Sequence, residues 1–241
     1  MRFFLYDLKD PLRHPNHHLI GLILMHMVSF FALLIFTTLC YISGYAKVIA
    51  WVYDKLTLSS CYALLLKRPW ALFTYSFIHK GIWSLCRNLL MIYYFGQSIQ
   101  AATQTKHVLR LYFWGQLVGG AFFIMLYTFS PPFQHTAANL IGPSASIYAM
   151  MVATCLFIPD ARVNLYITSL PLTYMVILSL LLSLMELQSD QAGNCLAQLG
   201  GALAGYLYAR RYKDNLKNDW HFSKNNKTTT TRLSFKINIR S

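Results

Sequence analysis

The sequence predicts an all-α membrane protein in which six helices span the bilayer. Three observations predict this class: 56% of the 241 residues are hydrophobic, only 12% are charged, and the apolar residues fall into long blocks. Charged residues make up about a quarter of a typical soluble domain. Roughly half of that charge is missing here, which argues against both an ordinary soluble enzyme and a disordered chain.

The first block, residues 19–42, is the clearest spanning segment, and its only ionisable side chain is His26. A helix needs about 20 apolar residues to cross the hydrocarbon core, whereas a signal peptide has a shorter apolar stretch and a small-residue cleavage site. We therefore interpret this block as a retained span. Five further spans are predicted at residues 83–99, 108–129, 142–158, 167–187 and 195–208.

The distribution of basic residues predicts the topology. The chain has 21 Lys and Arg against 8 Asp and Glu. Fifteen of the basic residues lie in segments that six spans would place on one side, including nine from Arg210 onward. Because cytoplasmic loops are enriched in Lys and Arg, we expect a multi-pass integral membrane protein with both termini in the cytoplasm.

The predicted organisation has three parts. Residues 1–18 form a cytoplasmic N-terminal segment, residues 19–210 a six-helix membrane domain, and residues 211–241 a basic cytoplasmic tail. The long first loop, residues 44–81, is too charged to span, yet Trp51 and Trp70 favour a partly interfacial position. The tail serves as a topology determinant, or it binds anionic lipids of the bilayer.

Several function classes lack support. The chain has no P-loop, zinc signature or dinucleotide fingerprint, and its five cysteines lack metal-ligand spacing. We therefore expect no metal and no cofactor. A basic pI could indicate nucleic acid, but a chain with so little water-facing surface is not predicted to bind it.

Polar side chains inside predicted spans are costly, and they are the candidates for function. Ser84 and Asn88 are four residues apart and share one face of the second span. Ser144 lies at the start of the fourth span, and Gln198 lies in the sixth. The sixth span also carries the small-xxx-small pattern that lets helix backbones approach closely, at Gly201 and Gly205.

From about residue 67 to 213, the sequence resembles the rhomboid intramembrane serine proteases. Four landmarks occur in the family's order and on its spans. They are the first-loop segment 68–79 ending in Phe77-Ile78-His79, the Ser84-x-x-x-Asn88 pair, Gly142-Pro143-Ser144-Ala145, and Gln198-x-x-Gly201-x-x-x-Gly205. The resemblance implies a six-helix rhomboid-like bundle.

The resemblance also implies roles for these residues. In rhomboids a Ser on the fourth span attacks the peptide carbonyl and a His on the sixth takes its proton. A His and an Asn of the second span help to stabilise the oxyanion. Carried over, Ser144 is the nucleophile and Asn88 the oxyanion Asn. Ser84 replaces the second-span His, Ala145 the motif's final Gly, and Gln198 the catalytic His.

The loss of that His predicts a pseudoprotease. A glutamine amide cannot accept and return a proton near neutral pH, and loss of the base can cost about 10⁶ in turnover. We therefore expect a protein that binds transmembrane helices of other membrane proteins without cutting them. Gln198 would hydrogen-bond Ser144 and keep two helices in register, and His135 is the one other histidine that could replace the base.

Two alternatives remain: an active rhomboid peptidase that uses Ser144, and a small membrane transporter. The spans lack the paired broken helices typical of transporters. Each candidate also has a structural interpretation, with Ser144 as a helix N-cap and Asn88 and Gln198 as interhelical hydrogen-bonding groups. Arg87, in the second span, is expected to snorkel to the interface or to pair with Glu186 of the fifth span as a gate.

Overall fold

The structure, a computed structural model, describes residues 17–103, 105–130, 133, 137–159, 162–164, 169–185 and 192–225. Helices dominate these ranges. The helices are α1 (His17–Ile42), α2 (Ala46–Leu56), α3 (Tyr62–Lys67), α4 (Ala71–Thr74), α5 (Ile82–Ala102), α6 (Lys106–Phe129), α7 (Ser144–Phe157), α8 (Leu172–Met185) and α9 (Ala192–Asn225). The strands are β1 (Leu58–Ser59), β2 (Asn139–Leu140), β3 (Arg162–Asn164) and β4 (Ser169–Pro171).

Each of the six predicted spans contains one long helix: α1, α5, α6, α7, α8 and α9. Among the described residues, α1 and α6 are long and apolar enough to cross a membrane, while α7 and α8 are apolar but shorter. The helical class is confirmed. The number of membrane crossings stays a prediction.

Two predicted span boundaries differ from the helices. The fifth span is predicted from residue 167, but α8 begins at Leu172 because the preceding residues form β4, which pairs antiparallel with β3. The sixth span is predicted to end at residue 208, yet α9 continues to Asn225. Hydropathy reports where apolar residues stop, whereas Arg, Lys and Leu favour continuation of the helix.

Helix α7 is the centre of the packing, with its largest contacts on α9 and α6. Ala145 and Ala149, one turn apart on α7, are fully buried. A Cβ added at Gly201 would overlap the carbonyl oxygen of Ala145, and one added at Gly205 would overlap that of Ala149. The backbones of α9 and α7 are therefore in direct contact, as the small-xxx-small pattern predicts.

A second glycine pair with the same spacing lies on α6 and packs against the same two alanines of α7. Gly115 and Gly119 of α6 face the methyl groups of Ala149 and Ala145, and a Cβ added at either glycine would overlap them. The sequence analysis did not single out this pair. Helix α7 is therefore held between two glycine-lined helix faces, which sets the position of its first residue, Ser144.

The first loop supports the segment that precedes α7. Strand β1 pairs antiparallel with β2, with Leu58 opposite Leu140. The backbone N–H of Gly142 donates a hydrogen bond to the carbonyl oxygen of Tyr75 at 2.8 Å. Gly142 has φ +96°, which residues with a Cβ rarely adopt. This turn leads into α7, which begins at Ser144.

Gln116 of α6 anchors the first loop to the helix bundle. Its buried side-chain amide donates hydrogen bonds to the carbonyl oxygens of Leu72 (2.9 Å) and Phe73 (2.7 Å). The hydroxyl of Tyr75 donates to the backbone carbonyl of Gln116 at 2.8 Å. Carbonyl groups near a helix end need hydrogen-bond partners. Gln116, a polar residue inside a predicted span, supplies them to the first loop.

Aromatic and histidine rings join the loop to α1. His26 Nε2 lies 2.8 Å from the Tyr112 hydroxyl, and the His26 ring centroid lies 4.7 Å from that of Phe77 and 5.2 Å from that of His79. In the part of the chain that the structure describes, neither ring nitrogen of His79 has a hydrogen-bond partner. Burial lowers the pKa of His79 from 6.5 to about 4, so this ring is neutral at pH 7.

The glycine contacts predict a sharp difference between substitutions. Gly201→Ala or Gly205→Ala would drive a methyl group into the α7 backbone, and we expect a loss of about 1–3 kcal/mol or more. Gly21→Ala on α1 is the matched control, because an added Cβ there meets nothing within 4 Å. Thermal unfolding in detergent should show a lower Tm for the first two variants alone. Equal Tm values for all three would contradict the packing.

The neutral His79 predicts loss of stability in acid. The pKa of His79 is depressed in the folded state, so its contribution is complete above pH 6.5 and is lost as the pH falls toward 4. Unfolding midpoints measured between pH 7 and pH 4 should therefore fall. His79→Phe, which keeps a ring in the cluster, should reduce this slope, and an unchanged slope would exclude His79 as its source.

Candidate functional site

Two adjoining cavities open beside the start of α7. The larger, about 280 Å³, lies between α5, α7, α8 and α9, and the smaller, about 110 Å³, extends toward residues 78–84. Arg87, Asn88, Ser144 and Gln198 line both, and Ser84 lines the smaller. We call the two cavities together the Ser144 cleft. Tertiary folding thus brings together residues from four predicted spans.

The Ser144 hydroxyl is buried and makes no hydrogen bond to the described residues. The N-cap position of α7 is Pro143, and Ser144 is the first helical residue, so the N-cap interpretation of Ser144 is wrong. A helix that begins here leaves the N–H groups of Ser144, Ala145 and Ser146 without intrahelical acceptors, which favours negative charge at this end of the cleft.

Gln198 is bound to α8. Its side-chain oxygen Oε1 accepts a hydrogen bond from the hydroxyl of Ser183, a buried residue of α8. The prediction that Gln198 hydrogen-bonds to Ser144 is wrong, because the Ser144 Oγ has no hydrogen-bond partner among the described residues. The sequence analysis missed Ser183, although a hydroxyl in an apolar span was a signal that could have found it.

Helix α8 is only lightly attached to the rest of the bundle. Its buried residues are Leu172, Val176 and Ser183, and most of its large apolar side chains are exposed. Apart from the Ser183 hydrogen bond, the Tyr148 hydroxyl donates to the carbonyl oxygen of Ser179 at 3.1 Å. The attachment of α8 therefore combines these two hydrogen bonds with Leu172, Val176 and Leu180, which pack in the apolar core.

The wall of the cleft formed by α5 is positively charged. Ser84, Arg87, Asn88 and Met91 follow the spacing of one helix face, and Arg87 is exposed. Lys80 lines the smaller cavity. The described residues that line the cleft include no carboxylate. The cleft is therefore suited to bind a ligand group that accepts hydrogen bonds or carries negative charge.

Two predicted partners fall on residues that the structure does not describe. Glu186, the predicted gate partner of Arg87, lies outside the described residues, so that pairing stays a prediction. His135, the predicted substitute base, also lies outside them.

The described residues that line the cleft supply hydrogen-bond donors but no proton acceptor suited to catalysis. No histidine is among the described residues that line it. The Asn88 amide, the helix N-terminus and two cationic side chains can stabilise negative charge, whereas Gln198 cannot take up a proton near neutral pH. No group of three potential metal ligands occurs among the described side chains.

The chain matches a known family. Residues 66–214 match the model of the Rhomboid domain. The match covers more than half of the chain, includes every residue that lines the Ser144 cleft, and confirms the resemblance predicted for residues 67–213. No curated protein matches the chain.

The hydrogen bond between Ser183 and Gln198 predicts energetic coupling. In a double-mutant cycle of Ser183→Ala and Gln198→Ala, unfolding free energies should reveal a coupling of about 0.6 kcal/mol, a typical value between membrane helices. The matched cycle of Ser144→Ala and Gln198→Ala should show none, because these side chains are not bonded. A larger coupling in the second cycle would contradict the observed arrangement.

Proposed function

Since this chain belongs to the rhomboid family, we propose that it binds a transmembrane helix of another membrane protein at the Ser144 cleft and leaves it uncut. Rhomboids are integral membrane proteins, and their partners lie in the bilayer. The observation that carries the proposal is at the position of the catalytic base. Gln198 occupies it, and its Oε1 is engaged by Ser183 on a neighbouring helix.

The lining of the cleft supports a transmembrane partner. Met91, Ile147, Met151 and Leu182 supply apolar surface beside the amide of Asn88. An apolar segment that carries one polar or backbone acceptor group complements this combination. The larger cavity of the cleft, about 280 Å³, accommodates side chains, and the light packing of α8 suits it to move aside for a longer stretch of helix.

The alternative function, an active peptidase, is favoured by one observation. Among the described residues the Ser144 Oγ, at a helix N-terminus, has no hydrogen-bond partner, so its lone pairs are not committed to another group. A hydroxyl is nevertheless a weak nucleophile without an adjacent base, and a triad stripped of its members retains only about 10³–10⁴-fold acceleration over water. We therefore place binding first.

A cleavage assay with a binding readout distinguishes the two functions. The full chain in lipid bicelles would be mixed with a transmembrane peptide that rhomboid peptidases cut promiscuously. We expect the peptide to co-isolate intact, and Ser144→Ala to leave that binding unchanged. Cleavage that disappears in Ser144→Ala would establish the peptidase instead.

Filling the cleft should block binding. Leu182 and Leu181 are neighbours on α8 and both are 55% exposed, but only Leu182 lines the cleft. We expect Leu182→Trp to weaken peptide binding by roughly tenfold, the loss typical of an altered central contact. Leu181→Trp should bind as the unmodified protein does. Equal affinities for both variants would place the binding surface elsewhere.

Restoring the base should restore some chemistry. Gln198→His returns a group that can take a proton to a side chain lining the same cleft as Ser144, so slow cleavage that depends on Ser144 is expected. Adding Ala145→Gly should lower Tm, because the Ala145 methyl fills the space beside Gly119. An inactive but folded Gln198→His variant would show that Ser84 or the position of the new ring is also limiting.

A further inference from the structure

A third cavity lies beside the middle of α9. It measures about 700 Å³ and opens between α6 and the part of α9 that follows Ala204. Its lining residues are His107, Arg110, Trp114, Leu207, Tyr208, Arg210, Arg211 and Tyr212. They include three guanidinium groups, and the described residues that line this cavity include no carboxylate. We call it the arginine cavity.

Polar and aromatic contacts give the arginine cavity a defined wall. His107 Nδ1 lies 2.7 Å from the Tyr208 hydroxyl, which joins the first turn of α6 to α9. The His107 ring centroid lies 4.8 Å from that of Tyr212, and the Tyr212 ring also meets that of Phe157 at 5.5 Å. Three helices therefore contribute rings that hold the two sides of the cavity together.

The position of the arginine cavity along α9 places it away from the Ser144 cleft. Tyr208 follows Gln198 by ten residues, or about 15 Å along a helix. The N-terminus of α6 also lies here, and no side chain caps it. Helix N-termini favour anions, so the cavity combines the N-terminus of α6 with three guanidinium groups.

Apolar surface adjoins these charges. Trp114 and Leu207 line the cavity and are each about half exposed. Tryptophan and tyrosine favour the level of the lipid headgroups. A soluble anion would make no use of this exposed apolar surface, whereas a lipid would place its acyl chain on it.

We propose that the arginine cavity binds the phosphate headgroup of an anionic phospholipid from the adjacent leaflet. The guanidinium groups of Arg110 and Arg211 bind the phosphate oxygens in paired hydrogen bonds, which arginine makes and lysine does not. The acyl chain lies against Trp114 and Leu207. This site is separate from the Ser144 cleft and does not depend on the proposed function of that cleft.

Fluorescence quenching by brominated lipids tests the site. The full chain in zwitterionic detergent would be titrated with chain-brominated phosphatidylglycerol or chain-brominated phosphatidylcholine, and the Trp114 signal obtained by difference from Trp114→Phe. We expect phosphatidylglycerol to quench Trp114 with an apparent Kd at least about fivefold lower than that of phosphatidylcholine. Equal quenching by both lipids would overturn the proposal, and so would displacement of the anionic lipid by equimolar inorganic phosphate.

Charge-matched variants complete the test. Arg110→Gln combined with Arg211→Gln should weaken binding of the anionic lipid by about 25-fold, at about fivefold per guanidinium. Arg110→Lys combined with Arg211→Lys keeps the charge, so its affinity for the anionic lipid should lie between those of the unmodified protein and the glutamine variant. This lysine variant still tests the site if the glutamine variant unfolds. Lys47→Gln combined with Lys67→Gln, two exposed first-loop lysines, should change nothing. An arginine variant that binds as this control does would overturn the site.

Discussion

The direct backbone contact between α9 and α7 is the constraint on which the rest of the structure depends. Lipid tails are as apolar as leucine, so helices in a bilayer associate mainly through close packing and hydrogen bonds. Gly201 and Gly205 allow α9 to rest on the carbonyl groups of Ala145 and Ala149. At about 21 Å, α7 is shorter than a hydrocarbon core of about 30 Å. Its first residue, Ser144, is therefore suited to lie below the membrane surface.

The hydrogen bond of Gln198 extends this packing to α8. An amide retains donor and acceptor groups at the position that the resemblance aligns with the family's imidazole, but it does not titrate near neutral pH. The residue can therefore satisfy the Ser183 hydroxyl and hold α8 beside α9, and it cannot activate Ser144. Under the proposed function, the same exchange removes a base and adds a link between two helices, leaving the shape of the cleft in place.

Much of this architecture was predictable from local sequence. Long apolar blocks predicted one helix in each span because burying a helix in lipid requires them. The polar residues at 84, 88, 144 and 198 were conspicuous because such groups are costly in an apolar span. Ser183, Gln116 and the Gly115–Gly119 pair were missed, since their importance depends on which helix each one faces. The continuation of α9 was missed because hydropathy reports only apolar residues.

The sequence by itself determined the helical class, the family and the identity of the residues at the Ser144 cleft. Only the tertiary structure decided how those residues are used. It bonded Gln198 to Ser183 and left the Ser144 hydroxyl without a partner among the described residues, and it gathered arginines from α6 and α9 around one cavity. The physical reason is that periodicity specifies which face of a helix a residue occupies, whereas hydrogen-bond partners and cavities depend on which other helix packs against that face.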